Sequence, residues 1–333
     1  MSRPAGPAPH VAVVTDSTAA LPPGLAGAAG VRVVPLRVVV DGEEHREDDL
    51  SGDALAEALA GGARVSTSQP PPSAFAAAYE DLAAAGATHV VSVHLAGALS
   101  GTADSARTAA TVSPVPVHVV DSGTVGLGLG YAVLAAARAA RPAPVPVVAP
   151  GAWARWRAAL ARPGAPLPAP DPAPVVAAAR ATAAGARVWF LVDSLEHLRR
   201  GGRLSAPAAA LGTVLGLRPL LTVRDGRLVV AEKVRTRRAA RERLEQVALD
   251  DAATRGAVRV GVHHVGPADA AQELAARLST ALGAQAAEVQ VTDAGAVLAA
   301  HVGPGTLAVV LTDAVPPDAV PPDAGPPEAT APR

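Results

Sequence analysis

The sequence predicts an α/β protein of two domains: an N-terminal domain on a parallel sheet of βαβ units and a C-terminal domain with a mixed sheet. Three observations carry this. The chain has 333 residues, which at ~150 residues per domain corresponds to two domains. In its first half, short apolar runs alternate with helical patterns, the signature of parallel βαβ units. In its second half, two adjacent apolar runs flank "RDG", a hairpin signal that introduces antiparallel pairing.

The elements follow in order. "HVAVVT" (10–15) and "RVVPLRVVV" (32–40) read as strands, being rich in valine. Residues 53–60 read as a helix. "SAFAAAYEDLAAAG" (73–86) is helical, because Phe75, Tyr79 and Leu82 recur at spacings of four and three. "HVVSVHL" (89–95) is a strand, "GTADSARTAA" a helix, "VHVVDS" (117–122) a strand and "GLGLGYAVLAAARAA" (126–140) a helix. A Pro-rich stretch runs from Arg141 to Pro174, with a short helical piece around Trp153 and Trp156. The second half opens with "RVWFLVDS" (187–194) as a strand and "LEHLRRGG" as a short helix. "RPLLTV" and "RLVVAEKV" form the hairpin, with Asp225-Gly226 in its turn. An Arg-rich helix (236–252), a strand (258–265), a helix (267–282) and the strands "EVQVTDAG" and "TLAVVLT" complete the set. The division expected is a disordered lead (1–9), an N-terminal domain (10–140), a Pro-rich connection or insertion (141–174), a C-terminal domain (175–313) and a disordered Pro-rich tail (314–333).

Composition narrows the function. Half the residues are apolar but only seven are aromatic, three Trp, two Tyr and two Phe, so alanine, valine and leucine build the core. A net charge of −1 counts against a nucleic-acid binder. The absence of cysteine excludes disulfides, thiol catalysis and cysteine-ligated zinc. Lys233 is the sole lysine and no Gly-Lys-Ser/Thr loop exists, so a self-contained ATP-using enzyme is not expected. The first ten residues lack the apolar segment of a signal peptide, and no uncharged apolar stretch nears ~20 residues, which makes a cytoplasmic protein the expectation.

Three apolar runs end in Asp-Ser, at 16–17, 121–122 and 193–194. Each pair suits a helix cap. In an open parallel sheet, however, the strand ends share one edge, and ligands bind in the crevice there. Asp16, Ser17, Asp121 and Ser122 are therefore candidates for a pocket rim. Ser100, Gly101 and Thr102 stand at a strand-to-helix junction, as a cap or as an anion site. In "RVSTSQPPPSAF" (64–75) the Ser/Thr cluster reads as a turn; with Ser73 capping the next helix, Thr67 and Ser68 are spare donors. His301 precedes Gly303, Pro304 and Gly305, a stiff turn that either carries a loop histidine or aims one at an anion. Hydroxyls with one histidine suit a carboxylate. A buried carboxylate needs hydrogen bonds, and these donors leave it less encumbered than a bidentate arginine would.

Other signals are weaker. "GLGLG" (126–130) is not a dinucleotide-binding loop, no G-x-S-x-G surrounds Ser100, and His263-His264 have no HExxH context, so no metal site is expected. Arg199, Arg200 and Arg203 around Gly201-Gly202 read as a helix C-terminus. "KVRTRRAARER" (233–243) reads as a solvated helix face.

The motifs "VTDST", "RVSTSQP", "LSGT", "VDSGTVGLGLG", "FLVDSLEHLRRGGRLS" and "HVGPGTLAVVL" occur in an order that resembles the DegV family, from about Val11 to Leu311. That resemblance implies a two-domain carrier, without catalytic residues or a cofactor, that buries a long-chain fatty acid between its domains. Its carboxylate is held by Thr67, Ser100 and His301. Asp16, Ser17, Ser68, Gly101, Thr102, Asp121 and Ser122 then shape the rim. The family also implies an ATP-dependent fatty acid kinase subunit as partner, docking at Arg199, Arg200 and Arg203, with transient membrane contact and a place in phospholipid metabolism. "HLAGA", with His94 and Ala96, stands where relatives often carry more serine, and the Pro-rich stretch 141–174 is longer than the family's pattern. The competing expectation is a hydrolase or acyl transferase using Ser100 with His301.

Overall fold

A computed structural model of the chain describes residues 9–50, 52–141, 170–204 and 218–314. The Pro-rich lead, the Trp153–Trp156 piece and the Pro-rich tail lie outside those residues.

Strand β1 (His10–Asp16) passes through a 3-10 turn (Ser17–Ala19) and α1 (Leu25–Ala28) to β2 (Val31–Val34). Next come β3 (Arg37–Val40), β4 (Glu43–Arg46), α2 (Gly52–Ala60) and β5 (Val65–Ser68). Then α3 (Pro72–Ala84), β6 (Ala87–His94), α4 (Thr102–Ala110), β7 (Val117–Asp121) and α5 (Leu127–Ala140) close the first half. The second half contains α6 (Ala173–Gly185), β8 (Arg187–Leu191), α7 (Glu196–Arg200), β9 (Arg218–Arg224) and β10 (Arg227–Val234). It continues with α8 (Arg237–Ala252), β11 (Val258–His264), α9 (Asp269–Leu282), β12 (Ala286–Asp293), α10 (Ala296–Val302) and β13 (Leu307–Asp313).

The fold class is the one expected. The first sheet has the order β2-β1-β6-β7 and every pair is parallel. The second, β10-β9-β8-β13-β11-β12, is mixed: β11–β12 is parallel and the other pairs are antiparallel. The β9–β10 hairpin turns through Asp225 (φ 51°) and Gly226 (φ 72°), both left-handed, as the Asp-Gly pair indicates.

Helix α5 joins the two halves. From Leu127 to Ala137 it is apolar and buried or half-buried, and only its last turn, with Arg138 and Ala139, is exposed. Leu129, Val133, Ala136 and Ala137 pack towards the parallel sheet, whereas Leu127 and Tyr131 pack with Val188, Phe190, Leu221 and Val310 of the mixed sheet. Its glycines serve close approach: a side chain at Gly130 would run into the Ala19 carbonyl.

The structure corrects the sequence reading in four places. The run 32–40 is not one strand. Pro35, which has no N–H to donate, breaks it, and β3 leaves the parallel sheet for a three-stranded antiparallel sheet of order β4-β3-β5. The hydroxyl cluster read as a turn is β5, with Thr67 opposite Val38. His301 lies in the last turn of α10, not on the Gly-Pro-Gly turn, which begins at Gly303 (φ 79°). Finally, α6 starts at the end of the Pro-rich stretch and packs its Val175 and Ala179 into the cluster beneath the parallel sheet, so we place it with that sheet rather than with the segment from 175 onward.

The small sheet and α2 form an excursion from the N-terminal half. Its apolar face, Leu36, Val38, Leu55 and Ala56, packs against Ala296, Val297, Ala299 and Ala300 of α10. The small residues of α10 allow the close approach, and that packing positions the candidate site.

Candidate functional site

Alternation along β5 turns Thr67 inward and leaves Ser66 and Ser68 exposed. On the opposite side, α10 presents His301 from its last turn. Thr67 Oγ1 and His301 Nε2 meet at 2.8 Å, 234 residues apart in sequence. His301 Nδ1 is buried without a partner. It faces the backbone of Gly201, where a Cβ would not fit.

The two residues sit in the wall of a cavity between the halves. Ser100, Leu36, Leu95, Leu99 and Gly126 line it from the N-terminal half; Val188, Phe190, Leu198, Leu228, Val297 and Ala308 line it from the C-terminal half. Its atom-free space, the part open to solvent included, is ≈ 840 Å³. Most of the lining is aliphatic. Ser100 Oγ and Thr102 Oγ1 lie 2.8 Å apart. Thr102 is fully buried, so it orients Ser100. Thr67, Ser100 and His301 therefore line one cavity. Burial pushes His301 down to about 4, and the nearby Arg203 guanidinium adds to the effect. Near pH 7 the ring is neutral, with one donor and one acceptor nitrogen.

Of the rim candidates, none is among the residues lining this cavity. Asp16 is fully buried. It accepts from Thr18 N (3.1 Å), Thr18 Oγ1 (2.5 Å) and Leu95 N (3.1 Å) and lies 3.0 Å from His94 Nδ1. Ser17 Oγ accepts from Leu36 N at 2.9 Å. Asp121 ties two loops, accepting from Gly97 N (3.0 Å) and Gly123 N (2.9 Å). Ser122 N–H donates to His94 O at 3.0 Å. Gly101 leaves room for the Gln69 side chain, and Ser68 points to solvent.

The three arginines separate. Arg199 and Arg200 are exposed and both bond Glu196, holding its carboxyl below the usual range. Arg203 instead turns inward and lines the cavity; its Nε donates to Leu99 O at 3.1 Å and its Nη1 to Gly201 O. Sequence reasoning grouped it with a docking surface because the glycines between 200 and 203 hide the reversal. It also missed His263 as a lining residue. Burial pushes His263 down to about 4, and its Nε2 accepts from Leu127 N at 2.9 Å, anchoring the start of α5.

Ser100 Oγ pairs with Thr102, His301 Nε2 with Thr67, and among the described residues no carboxylate bonds His301 Nδ1. A Ser–His–Asp arrangement does exist in Ser92, His94 and Asp16, but all three are fully buried. Among the described residues no group of His, Asp or Glu could hold a metal ion, and no helix is long and apolar enough to cross a membrane.

The model of the DegV family of uncharacterised proteins matches residues 10–142 and 169–313. The chain is 41% identical over 305 residues to a DegV domain-containing protein of Streptomyces coelicolor, covering 91% of this chain and 98% of that one. It is similar to the solved structure of a fatty-acid-binding DegV family protein from Thermus thermophilus, with 34% identity, TM-score 0.77 and coverage of 92% and 100%. It is also similar to DegV of Bacillus subtilis, a fatty acid binding protein, with 29% identity, TM-score 0.75 and coverage of 92% and 99%.

Proposed function

This chain belongs to the DegV family, and on that premise we propose that it is a carrier that buries a long-chain fatty acid in the cavity between its halves. The observation that carries this is the 2.8 Å meeting of Thr67 and His301 in the wall of an apolar cavity that Ser100 also lines. The carboxylate accepts from the Thr67 and Ser100 hydroxyls and from the His301 ring. His301 Nδ1 has no protein partner, so no second hydrogen bond fixes the ring when Nε2 turns from Thr67 to the carboxylate. The acyl tail runs along the aliphatic lining. At ~0.8 kcal/mol per methylene, a chain of about sixteen carbons contributes roughly 12 kcal/mol gross, far more than the head-group bonds. The tail therefore supplies the affinity and the head group fixes the orientation.

The carrier takes the acid by transient contact with a membrane and presents its carboxylate to a separate ATP-dependent fatty acid kinase subunit, which forms the acyl phosphate. Exposed Arg199 and Arg200 offer that partner a cationic face. Arg203, at the cavity wall, serves the head-group end instead.

Mass spectrometry of an organic extract of the purified protein tests the reading. One fatty acid per chain is expected. A protein that is empty, and that takes up no fatty acid when offered it, contradicts it. With a purified kinase subunit and ATP, replacing Arg199 and Arg200 by alanine leaves lipid loading intact and slows acyl-phosphate formation; an unchanged rate removes the docking assignment.

A further inference from the structure

The turn that follows β1 makes three hydrogen bonds that converge on one structure. Leu95 N–H donates to Asp16 Oδ2 at 3.1 Å, Leu36 N–H to Ser17 Oγ at 2.9 Å, and Gly126 N–H to Thr18 O at 2.9 Å. Leu36, Leu95 and Gly126 belong to different segments, and all three line the cavity from its N-terminal side. The turn itself touches none of the cavity. Its own geometry is fixed by Asp16, whose Oδ1 accepts from Thr18 N and Thr18 Oγ1. Asp16 Oδ2 lies 3.0 Å from His94 Nδ1, His94 Nε2 lies 2.7 Å from Ser92 Oγ, and Ser92 Oγ lies 2.9 Å from Tyr79 OH. A carboxylate accepts only, so Nδ1 carries the ring hydrogen and Nε2 accepts from Ser92. Each member of this chain is fully buried, and each has its bonds met.

We propose that the Asp16–Thr18 turn is the positioning element of the fatty-acid cavity, in which Ser17 sets the Leu36 wall and Asp16, held by His94, sets the Leu95 wall. The proposal rests on the carrier reading. It assigns these residues to the shape of the cavity wall, read out as a preference among chain lengths. A shift of one wall backbone changes how far a tail reaches and how its methylenes pack, and packed interiors register changes as small as one methylene. The partly exposed Ser17 allows the assignment to be tested without removing a core group.

Delipidated wild type, Ser17→Ala, Asp16→Asn and Thr67→Val are titrated with laurate, palmitate and stearate, and thermal unfolding is followed in parallel. Thr67→Val weakens all three acids by a common factor, because it acts at the carboxylate. Ser17→Ala still unfolds cooperatively, at a midpoint lowered because the buried Leu36 N–H loses its acceptor, and changes the palmitate-to-laurate affinity ratio by about threefold or more; Asp16→Asn changes it further. Asp16→Asn removes an acceptor in the core, so if it does not fold, Ser17→Ala decides alone. A Ser17→Ala variant with wild-type affinities, or with a uniform loss across the three acids, overturns the positioning role. Wild type that binds none of the acids overturns the carrier reading instead, so the two failures are distinguishable.

Discussion

Two clusters in this molecule are built from the same residue types and behave oppositely. Around Asp16, a histidine, three hydroxyls (Thr18, Ser92 and Tyr79) and a carboxylate are fully buried, and each one's hydrogen bonds are met inside the protein. Around His301, a histidine and two hydroxyls line a cavity, and one ring nitrogen has no partner. Residue type does not distinguish them; unspent bonding capacity does. A closed network rigidifies, while a partly open one at an apolar cavity is poised to accept a ligand's polar end.

The largest expected effect breaks the closed cluster. Asp16→Ala leaves the Thr18 N–H, the Leu95 N–H and the His94 ring without their acceptor in a site that water does not reach. Removing one partner from such a buried arrangement costs about 3–5 kcal/mol. Chemical denaturation should show the midpoint falling accordingly; a loss below about 1 kcal/mol would mean the cluster is not the closed unit described.

The second prediction concerns pH and sharpens the contrast at the cavity. His263 and His301 are held near 4 in the folded protein, against an ordinary value of 6.5. Between these values the unfolded chain binds more protons, so stability rises as pH climbs from about 4 to 6.5, by up to about 3 kcal/mol per group. Glu47 acts in the opposite sense. It accepts from Val297 N at 2.8 Å, tying the excursion to α10, and burial pushes it up to about 7, with Asp16 and Asp48 adding repulsion. The folded state then keeps a proton the unfolded chain loses, so stability falls from about pH 4.5 to 7. Glu47→Gln keeps an acceptor for Val297 and removes the falling limb. Thermal unfolding between pH 4.5 and 8 should therefore rise more steeply for the variant; parallel curves would refute the assignment.

Much of the fold was legible, and the losses have physical causes. Valine-rich runs marked β1, β6 and β7, and Asp225-Gly226 fixed a hairpin, because these signals are local. The split at Pro35 was hidden because both sides of the proline are equally valine-rich, and only tertiary pairing sends β3 to another sheet. Helix α10 was hidden because "AGAVLAAHVG" is short, alanine-rich and next to a Gly-Pro-Gly turn. Thr67, Ser100 and His301 were reached through family resemblance as much as through residue chemistry, and their placement around one cavity depends on the α10 packing that the sequence did not show. Asp16 and Ser17 were read as rim because strand ends open onto a crevice; β1 is instead a central strand whose end is roofed by the loops after β2 and β6.

The smallest expected effect probes the open cluster alone. Thr67→Val keeps the shape of the side chain and deletes the hydroxyl that meets His301 Nε2. In the lipid-free protein this removes one half-buried hydrogen bond, and the neutral ring remains beside a cavity, so the denaturation midpoint moves by at most about 1 kcal/mol. In the proposed complex the same change removes one donor from the carboxylate, and fatty-acid affinity is expected to fall by about 1–3 kcal/mol, five- to 150-fold. A larger loss in binding than in stability is the mark of an open cluster, and the reverse of what Asp16→Ala should give. Equal losses in the two measurements would erase the distinction between the clusters, and Thr67 would then belong with Asp16 as a structural residue.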